Sequence, residues 1–409
     1  MRYLIFYVTG IFLLLSTYAW GGSVSKDYFG MHVHRSNQNK LWLNSGLGSI
    51  RLHDANVTWL DLQPSPDSWK WAWLDGMVNR ATAANVSILL PLQGTPAWAS
   101  RTPELKAAYG YGANAMPSNL AAWENYVEAV VSRYRGKIAA YEIWNESNLS
   151  HFFSGNPEDL ALLTKSAVKI IRQIDPEAKV VCPSGVGDYG IKWFKRLLAT
   201  EVMSDCDVIS YHFYTKHQPP ESMLPIIDDI KIAIRAAGYQ RKPLWNTETG
   251  WLIDTPEGVD PVLAGFKADA KKLNDFESVS YLLRSFILGA GADLGRFYWY
   301  SWDHPSMGIT KGRGTGWRPA AIAFKNLTVI LDGGVVEPCR LSADQWVCNG
   351  SLKDGRKGFW VWSTKSTMKN FSGIYNVLQF QSDGGLILQH RVKKAVPIGT
   401  LPSFLYKSS

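Results

Sequence analysis

Short apolar runs alternate with longer amphipathic stretches from about residue 28 to residue 330. The runs that read as strands are Phe29–His34, Ser49–His53, Ser87–Pro91, Ile138–Trp144, Lys179–Cys182, Asp207–Tyr214, Pro243–Asn246 and Gly295–Ser301. Several of the stretches between them carry helix signals. Asn119–Tyr134 puts Leu120, Trp123, Val127, Val130 and Tyr134 on one stripe. Asn156-Pro157-Glu158-Asp159 offers a cap residue, proline at the first helical position and acids in the first turn. That helix is predicted to run to Ile174 and stop at Asp175-Pro176. Eight strand–helix units in succession predict the α/β class and a (β/α)8 TIM barrel. A doubly wound open sheet is the alternative, but no G-x-G-x-x-G follows the first strand.

The texture changes after Leu331-Asp332-Gly333-Gly334. Short alternating runs follow, such as Gly358-Phe359-Trp360-Val361-Trp362, with Gly and polar turns between them. They predict a small C-terminal all-β domain. At the other end, Met1-Arg2-Tyr3, an apolar run through Leu15 and the small-residue end Ser16-Thr17-Tyr18-Ala19 form a secretory signal pattern. The run is short for a membrane span, so no stable membrane insertion is expected. The expected division is residues 1–22 signal peptide, 23–330 barrel and 331–409 β-rich accessory domain. The protein is expected to be secreted or periplasmic.

Composition adds four points. With 46% hydrophobic and 19% charged residues the 409-residue chain reads as globular. Its 18 Trp are unusual: ordinary core and helix packing is expected to take more than half, and some are candidates for flat stacking platforms, the natural partners of sugar rings. The formal charge of +8 is spread without a basic run or nucleic-acid motif, so no nucleic-acid partner is expected, and a mild preference for anionic polysaccharide is compatible. Four cysteines fit an oxidising compartment. Cys339 and Cys348 flank a short polar turn and can staple a hairpin. Cys182 and Cys206 either pair or stay as buried thiols. None forms a C-x-x-C pair, and no metal or cofactor is expected.

Chemistry in a barrel sits at the carboxyl ends of the strands. Strand four ends Trp144-Asn145-Glu146 and strand seven ends Asn246-Thr247-Glu248-Thr249-Gly250. The two acids are 102 residues apart, and three units of a roughly 250-residue barrel span about 94 residues. Both therefore face one pocket from strands four and seven. Glycosidic bond cleavage needs such a pair: one carboxyl protonates the leaving oxygen and the other attacks or activates water. Glu142 shares strand parity with Trp144 and Glu146, so all three are expected to point into the barrel, where a buried acid needs a basic or hydrogen-bonding partner.

These strand ends resemble the retaining glycosidases of clan A over the whole barrel, and family 39 in particular. That family includes β-xylosidases, α-iduronidases and bacterial exopolysaccharide-trimming endoglycosidases. The resemblance implies a retaining glycoside hydrolase with Glu146 as acid/base and Glu248 as nucleophile, acting on a carbohydrate substrate. Arg51 resembles the arginine that holds the nucleophile. His212 and Tyr214 resemble the His-x-Tyr of strand six, and Trp299 or Trp302 the strand-eight tryptophan under the sugar. Asn145 can donate its amide to a sugar hydroxyl, and Tyr214 its hydroxyl to Glu248. Gln93 and Trp98 resemble a substrate-binding loop after strand three, and His32 or His34 can bond a sugar hydroxyl. Glu146 must stay protonated, which predicts a dry setting beside Trp144 or Trp98.

Two rivals were weighed against this. His32-Val33-His34 has the His-x-His form of a metal-dependent barrel, and His212 and Asp303 would match two further ligands. However, strand four offers no Lys and strand five no His, so the metal set is incomplete. A non-catalytic carbohydrate-binding protein on a decayed barrel is the other reading. It would be expected to lose at least one of Glu146, Glu248, Arg51, Asn145 or Tyr214, and all are present. Gly312–Gly316 lacks the Gly-Lys-Ser/Thr of a phosphate loop and reads as a loop near the cleft.

Overall fold

The computed structural model describes residues 22–215, 217–256 and 271–407. The signal pattern of residues 1–22 therefore lies almost wholly outside the described residues. Eight parallel strands form the first sheet: β1 (Phe29–His32), β2 (Ser49–Arg51), β3 (Ser87–Leu92), β4 (Ala140–Ile143), β5 (Lys179–Val181), β6 (Ile209–His212), β7 (Leu244–Thr249) and β8 (Phe297–Trp299). Seven of the eight seams are strand ladders. The last, β5 to β6, closes through parallel bridges Val181–Val208 and Val186–His212. The result is the TIM barrel that the pattern predicted.

Helices wrap the outside: α1 (Trp59–Leu62), α2 (Ala72–Ala83), α3 (Leu120–Arg133), α4 (Pro157–Ile174), α5 (Ile191–Leu198), α6 (Met223–Ala236), α7 (Asp275–Gly291) and α8 (Pro319–Leu331). Local chemistry sets their ends. The Asn156 side chain accepts from Asp159 N, and Asp159 reaches back to Asn156 N. Such a cap contributes about 1 kcal/mol. Leu160, Leu163, Thr164, Ala167 and Ile171 then form the buried stripe of α4. One unit departs from the expected pattern. Between β1 and β2 there is only a 3-10 turn, Leu41–Asn44. The chain passes too close to the N-terminal segment for more: a Cβ on Gly48 would sit 1.8 Å from the Lys26 carbonyl oxygen.

At the catalytic end six of the observed strands stop short of the expected runs, while β3 extends to Leu92 and β7 to Thr249. β1 stops at His32 and β4 at Ile143 because the ladders end where the chain flares into the mouth.

A short antiparallel pair, β9 (Thr310–Lys311) and β10 (Gly316–Trp317), precedes α8. The C-terminal sheet then contains β11 (Val335–Val336), β12 (Arg340–Ser342), β13 (Gln345–Ser351), β14 (Lys357–Trp362), β15 (Thr367–Phe380), β16 (Leu386–Ile398) and β17 (Ser403–Lys407), all antiparallel. Its inner face packs on the barrel through buried Trp360, Trp362 and Phe404. Trp362 Nε1 donates to Glu221 Oε1 (2.6 Å), and Arg284 on α7 pairs with the same carboxylate at 3.0 Å. Both cysteine pairs are bonded, Cys182–Cys206 and Cys339–Cys348. Among the described residues, no helix is long and apolar enough to cross a membrane.

Candidate active site

Arg51, the last residue of β2, sits at the centre of the barrel mouth and is fully buried. Each of its three nitrogens donates to a different residue. Nε reaches Glu142 Oε2 (2.6 Å), Nη1 reaches Glu248 Oε2 (2.7 Å) and Nη2 reaches Asn145 Oδ1 (2.8 Å). The partner that Glu142 needed is thus Arg51. A guanidinium suits this place because its planar fork fixes three acceptors at once. Fixing Asn145 Oδ1 also turns its amide Nδ2 away from Arg51, and that buried group has no protein partner.

Glu146 and Glu248 are 8% and 7% exposed, and an oxygen of one lies within 4.8 Å of an oxygen of the other. Glu248 Oε1 accepts from the Tyr214 hydroxyl at 2.9 Å. Glu146 Oε1 lies 3.0 Å from His212 Nδ1. The protonation of that contact follows from a chain of bonds. The Thr247 hydroxyl donates to Glu142 Oε1 (2.8 Å), so it can only accept from His212 Nε2 at 3.1 Å. Burial, reinforced by the charge of Arg51, holds His212 well below the ordinary imidazole range, so the ring is neutral. Its one proton is on Nε2, Nδ1 is bare, and the proton in the contact with Glu146 belongs to the acid.

The electrostatics agree. Burial, then the neighbouring Glu248 carboxylate, push Glu146 well above the usual carboxylate range. Burial raises Glu248 as well, but His53 and Arg51 oppose it and the Tyr214 hydroxyl bonds its ionised form. Of the two, Glu146 holds the proton.

Several other predicted residues also line this mouth. His32 Nε2 donates to the Thr247 carbonyl (3.0 Å), which leaves a bare, unpartnered Nδ1. His34 lies beside Asp303, whose carboxylate accepts from the backbone N–H groups of His34 and Arg35. Gln93, just past β3, is buried, and its backbone carbonyl accepts from Trp59 N. Trp98 donates to the Gln63 carbonyl and packs edge-on against Trp59 of α1. Neither Trp98 nor Trp144 dries Glu146. Trp144 has φ of 65°, which breaks the alternation of β4 and turns its ring outward onto Trp123 and Phe153.

Trp299 and Trp302 are both fully buried, where either was expected under the sugar: Trp299 lies against Trp251, and Trp302 against Trp317. The aromatic wall that strand eight gives the site is Tyr300, with ring centroids 4.9 Å from His32 and 5.2 Å from His34.

Four residues that the sequence did not single out complete the mouth. The Tyr300 hydroxyl donates to Asp54 Oδ2 (2.7 Å), and the Tyr109 hydroxyl to Asp54 Oδ1 (3.1 Å). The His53 ring lies between Asp54 and Glu248, with Nδ1 3.5 Å and 3.6 Å from their oxygens. Burial opposes ionisation of Asp54, but His53 and the Tyr300 hydroxyl still hold it well below its ordinary value.

Among the described residues, two clusters have metal-ligand spacing, His32/His53/Glu248 and Glu146/His212/Glu248. Both need Glu248, whose Oε2 already lies 2.7 Å from the fixed positive charge of Arg51. A cation there would face that charge at close range.

A family model, Glycosyl hydrolases family 39, matches residues 96–254, a span that contains both acids. Over that span the chain is similar to family 39 glycoside hydrolases. A curated β-xylosidase from Geobacillus stearothermophilus is 24% identical over 206 residues, covering 44% of this chain and 40% of that relative. The match thus spans less than half of the relative's length. Among solved structures, a family 39 glycoside hydrolase from Bacteroides cellulosilyticus WH2 superposes with a TM-score of 0.72 at 16% identity, covering 94% of this chain and 81% of that chain. A monomeric β-xylosidase from Caulobacter crescentus CB15 gives 0.65 at 14% identity, covering 95% and 98%. A GH30 endoxylanase from Clostridium papyrosolvens C71 gives 0.63 at 13%, covering 95% and 98%. At such identities these structures share the fold with this chain.

Proposed function

We propose that this glycosidase cleaves O-glycosidic bonds with retention of configuration, by double displacement through a covalent sugar ester on Glu248. One observation carries the reading: two acids within 4.8 Å of each other, one holding a proton against neutral His212 and the other lying on Arg51. Retaining enzymes hold the pair about 5–5.5 Å apart, and inverting ones leave about 6.5–9.5 Å for a water.

In the first step a Glu248 oxygen attacks the anomeric carbon while the Glu146 proton passes to the departing oxygen. The Glu248 ester is uncharged, so the second-largest cause of the raised Glu146 pKa disappears. Glu146 is then a better-stabilised carboxylate and can take a proton from water. That water attacks the anomeric carbon and expels the Glu248 carboxylate, which restores both groups. Asn145 Nδ2, held by Arg51 and unpartnered, is placed to bond the sugar 2-hydroxyl as charge develops.

The Geobacillus and Caulobacter relatives are β-xylosidases, which makes a β-linked neutral pyranoside of the xylose type the first substrate to try. The two disulfides support an oxidising location, secreted or periplasmic. A non-catalytic sugar-binding barrel has no use for a protonated acid held beside an acid on a guanidinium. The test is a panel of 4-nitrophenyl β-D-glycosides (xyloside, glucoside, galactoside, glucuronide) with the anomer of the first product read by NMR. A β-anomeric first product is expected. An α-anomeric first product would overturn the double displacement.

A further inference from the structure

The fold gathers basic residues that look scattered along the sequence. From Asp332 to Lys407 there are ten Lys or Arg against five Asp or Glu, so this fifth of the chain carries more than half of the +8 formal charge. Three of these cations are neutralised in pairs: Lys353 with Asp332, Arg356 with Asp354, and Lys365 with Asp344. Lys357, Lys369 and Lys407 have no ion pair among the described residues.

These three meet at one place because the C-terminal sheet is rolled. The first half of β15 pairs with β16 alone, and register shifts after Asn370 and Tyr375 bend the hairpin. Gln345 Nε2, at the start of β13, reaches Thr367 Oγ1 (2.9 Å) and the Met368 carbonyl (3.1 Å), so the start of β15 lies against the start of β13. Inside the roll Val361, Val377, Val396, Ile398 and Leu405 form a small core of their own, apart from the residues that face the barrel. Half-buried Phe359 and Tyr375 sit at its open end, with ring centroids 6.1 Å apart and planes at 69°.

Lys357 precedes Phe359 by two residues and Lys407 follows Leu405 by two. Phe359 and Leu405 are direct partners across β14 and β17. The register therefore sets Lys357 opposite Lys407, on the face those two share. The Lys369 ammonium lies 5.7 Å from the Phe359 ring centroid. Like charges directly opposite on paired strands are destabilising, and among the described residues no ion pair offsets them. An aromatic pair beside three uncompensated ammonium groups matches a pyranose that carries a carboxylate. The apolar C–H face meets the rings, and the anion meets the lysines.

We propose that the open end of this roll binds an acidic polysaccharide, a chain of uronic-acid residues, at a site separate from the barrel mouth. Among the described residues, Phe359 and Tyr375 form the aromatic pair at this end. Single-stranded nucleic acid calls for successive platforms along a groove, so the acidic glycan is the better fit. Binding at the roll would tether such a polymer to the chain that carries the barrel.

The test uses the full chain carrying Glu248→Gln, so that binding is measured without turnover and does not depend on the proposed hydrolysis. Affinity electrophoresis through gels containing polygalacturonate, dextran or single-stranded oligonucleotide reads the dissociation constants. Polygalacturonate should retard the protein and dextran should not. Lys357→Glu should weaken polygalacturonate binding at least about tenfold, because it reverses one member of the ring. The same change can pair with Lys407, so the melting temperature should hold or rise, and hydrolysis of a small aryl glycoside by the otherwise wild-type chain should be unchanged. Lys192→Glu, on exposed α5, alters the net charge equally and should leave binding intact. The proposal is overturned if Lys192→Glu weakens binding as much as Lys357→Glu, since that would show a net-charge effect alone. It is overturned equally if dextran retards the protein as strongly as polygalacturonate, or if the oligonucleotide binds more tightly than either.

Discussion

His212 Nδ1 lies 3.0 Å from Glu146 Oε1, and the hydrogen bond between them is donated by the acid. This direction is set three bonds away, where Glu142 takes the proton of the Thr247 hydroxyl and leaves that oxygen able only to accept from His212 Nε2. The histidine tautomer, and with it the proton on Glu146, is therefore written into β4, β6 and β7 together.

Thr247→Val should expose this relay. Valine has the same shape but cannot accept from His212 Nε2, so the ring is free to take the other tautomer. Nδ1 would then no longer favour the protonated form of Glu146. Glu146 acts as an acid while protonated, so activity is present below its pKa and lost above it. The alkaline limb of the kcat/KM profile should move to lower pH, and the acidic limb, which reports ionisation of Glu248, should move less. An unchanged alkaline limb would show that Thr247 does not control the tautomer.

Arg51→Met tests the hub. It leaves Glu142 buried with hydroxyl partners and no counter-charge, a loss of about 3–5 kcal/mol in urea unfolding. Arg51→Met/Glu142→Gln removes the uncompensated acid and should recover part of that stability while activity stays low. If the double variant is no more stable than the single, Glu142 is not the group that Arg51 compensates.

The barrel and the rolled sheet should unfold as one unit. Glu221 takes Arg284 from α7 and Trp362 from β14, and Trp362→Phe removes a hydrogen bond to a charged group, at a cost of about 1.5–3 kcal/mol. Limited proteolysis of the parent chain should not release a stable fragment beginning near residue 333. Rapid release of such a fragment, or a Trp362→Phe variant of unchanged stability, would contradict the coupling.

Chelation should not reduce turnover, because the first cation that Glu248 meets is Arg51. Loss of activity in a strong chelator, restored by zinc or manganese, would revive the His32/His53/Glu248 cluster as a metal site.

The barrel was legible because eight short apolar runs punctuated by helix caps admit few other arrangements. Strand-end position brought Arg51, Asn145, Glu146, His212, Tyr214 and Glu248 to one mouth. Period-2 parity failed where the backbone leaves the strand. Trp144 sits at positive φ, and its ring points opposite to the expectation drawn from Glu142. Trp299 and Trp302 drew attention as tryptophans, yet the residue between them that faces the site is Tyr300. Tyr109 lies in the long stretch between β3 and α3, where no periodicity marks it. Asp54 and His53 directly follow the arginine strand, and two polar residues just past a barrel strand were a signal available to find them.

The most direct test of the double displacement uses Glu146→Ala. Wild-type turnover first selects, from 2,4-dinitrophenyl xyloside, glucoside and galactoside, the sugar that is hydrolysed. That substrate needs little protonation, so the variant should release phenol in a burst and then stall, because no base remains to activate water. Removing a general acid/base typically slows the step it serves by about 10²–10⁴. Mass spectrometry should find one glycosyl unit on the peptide that contains Glu248, and azide should relieve the stall to give a β-glycosyl azide. An unlabelled protein that yields the α-azide, or a label on any other residue, would contradict the account.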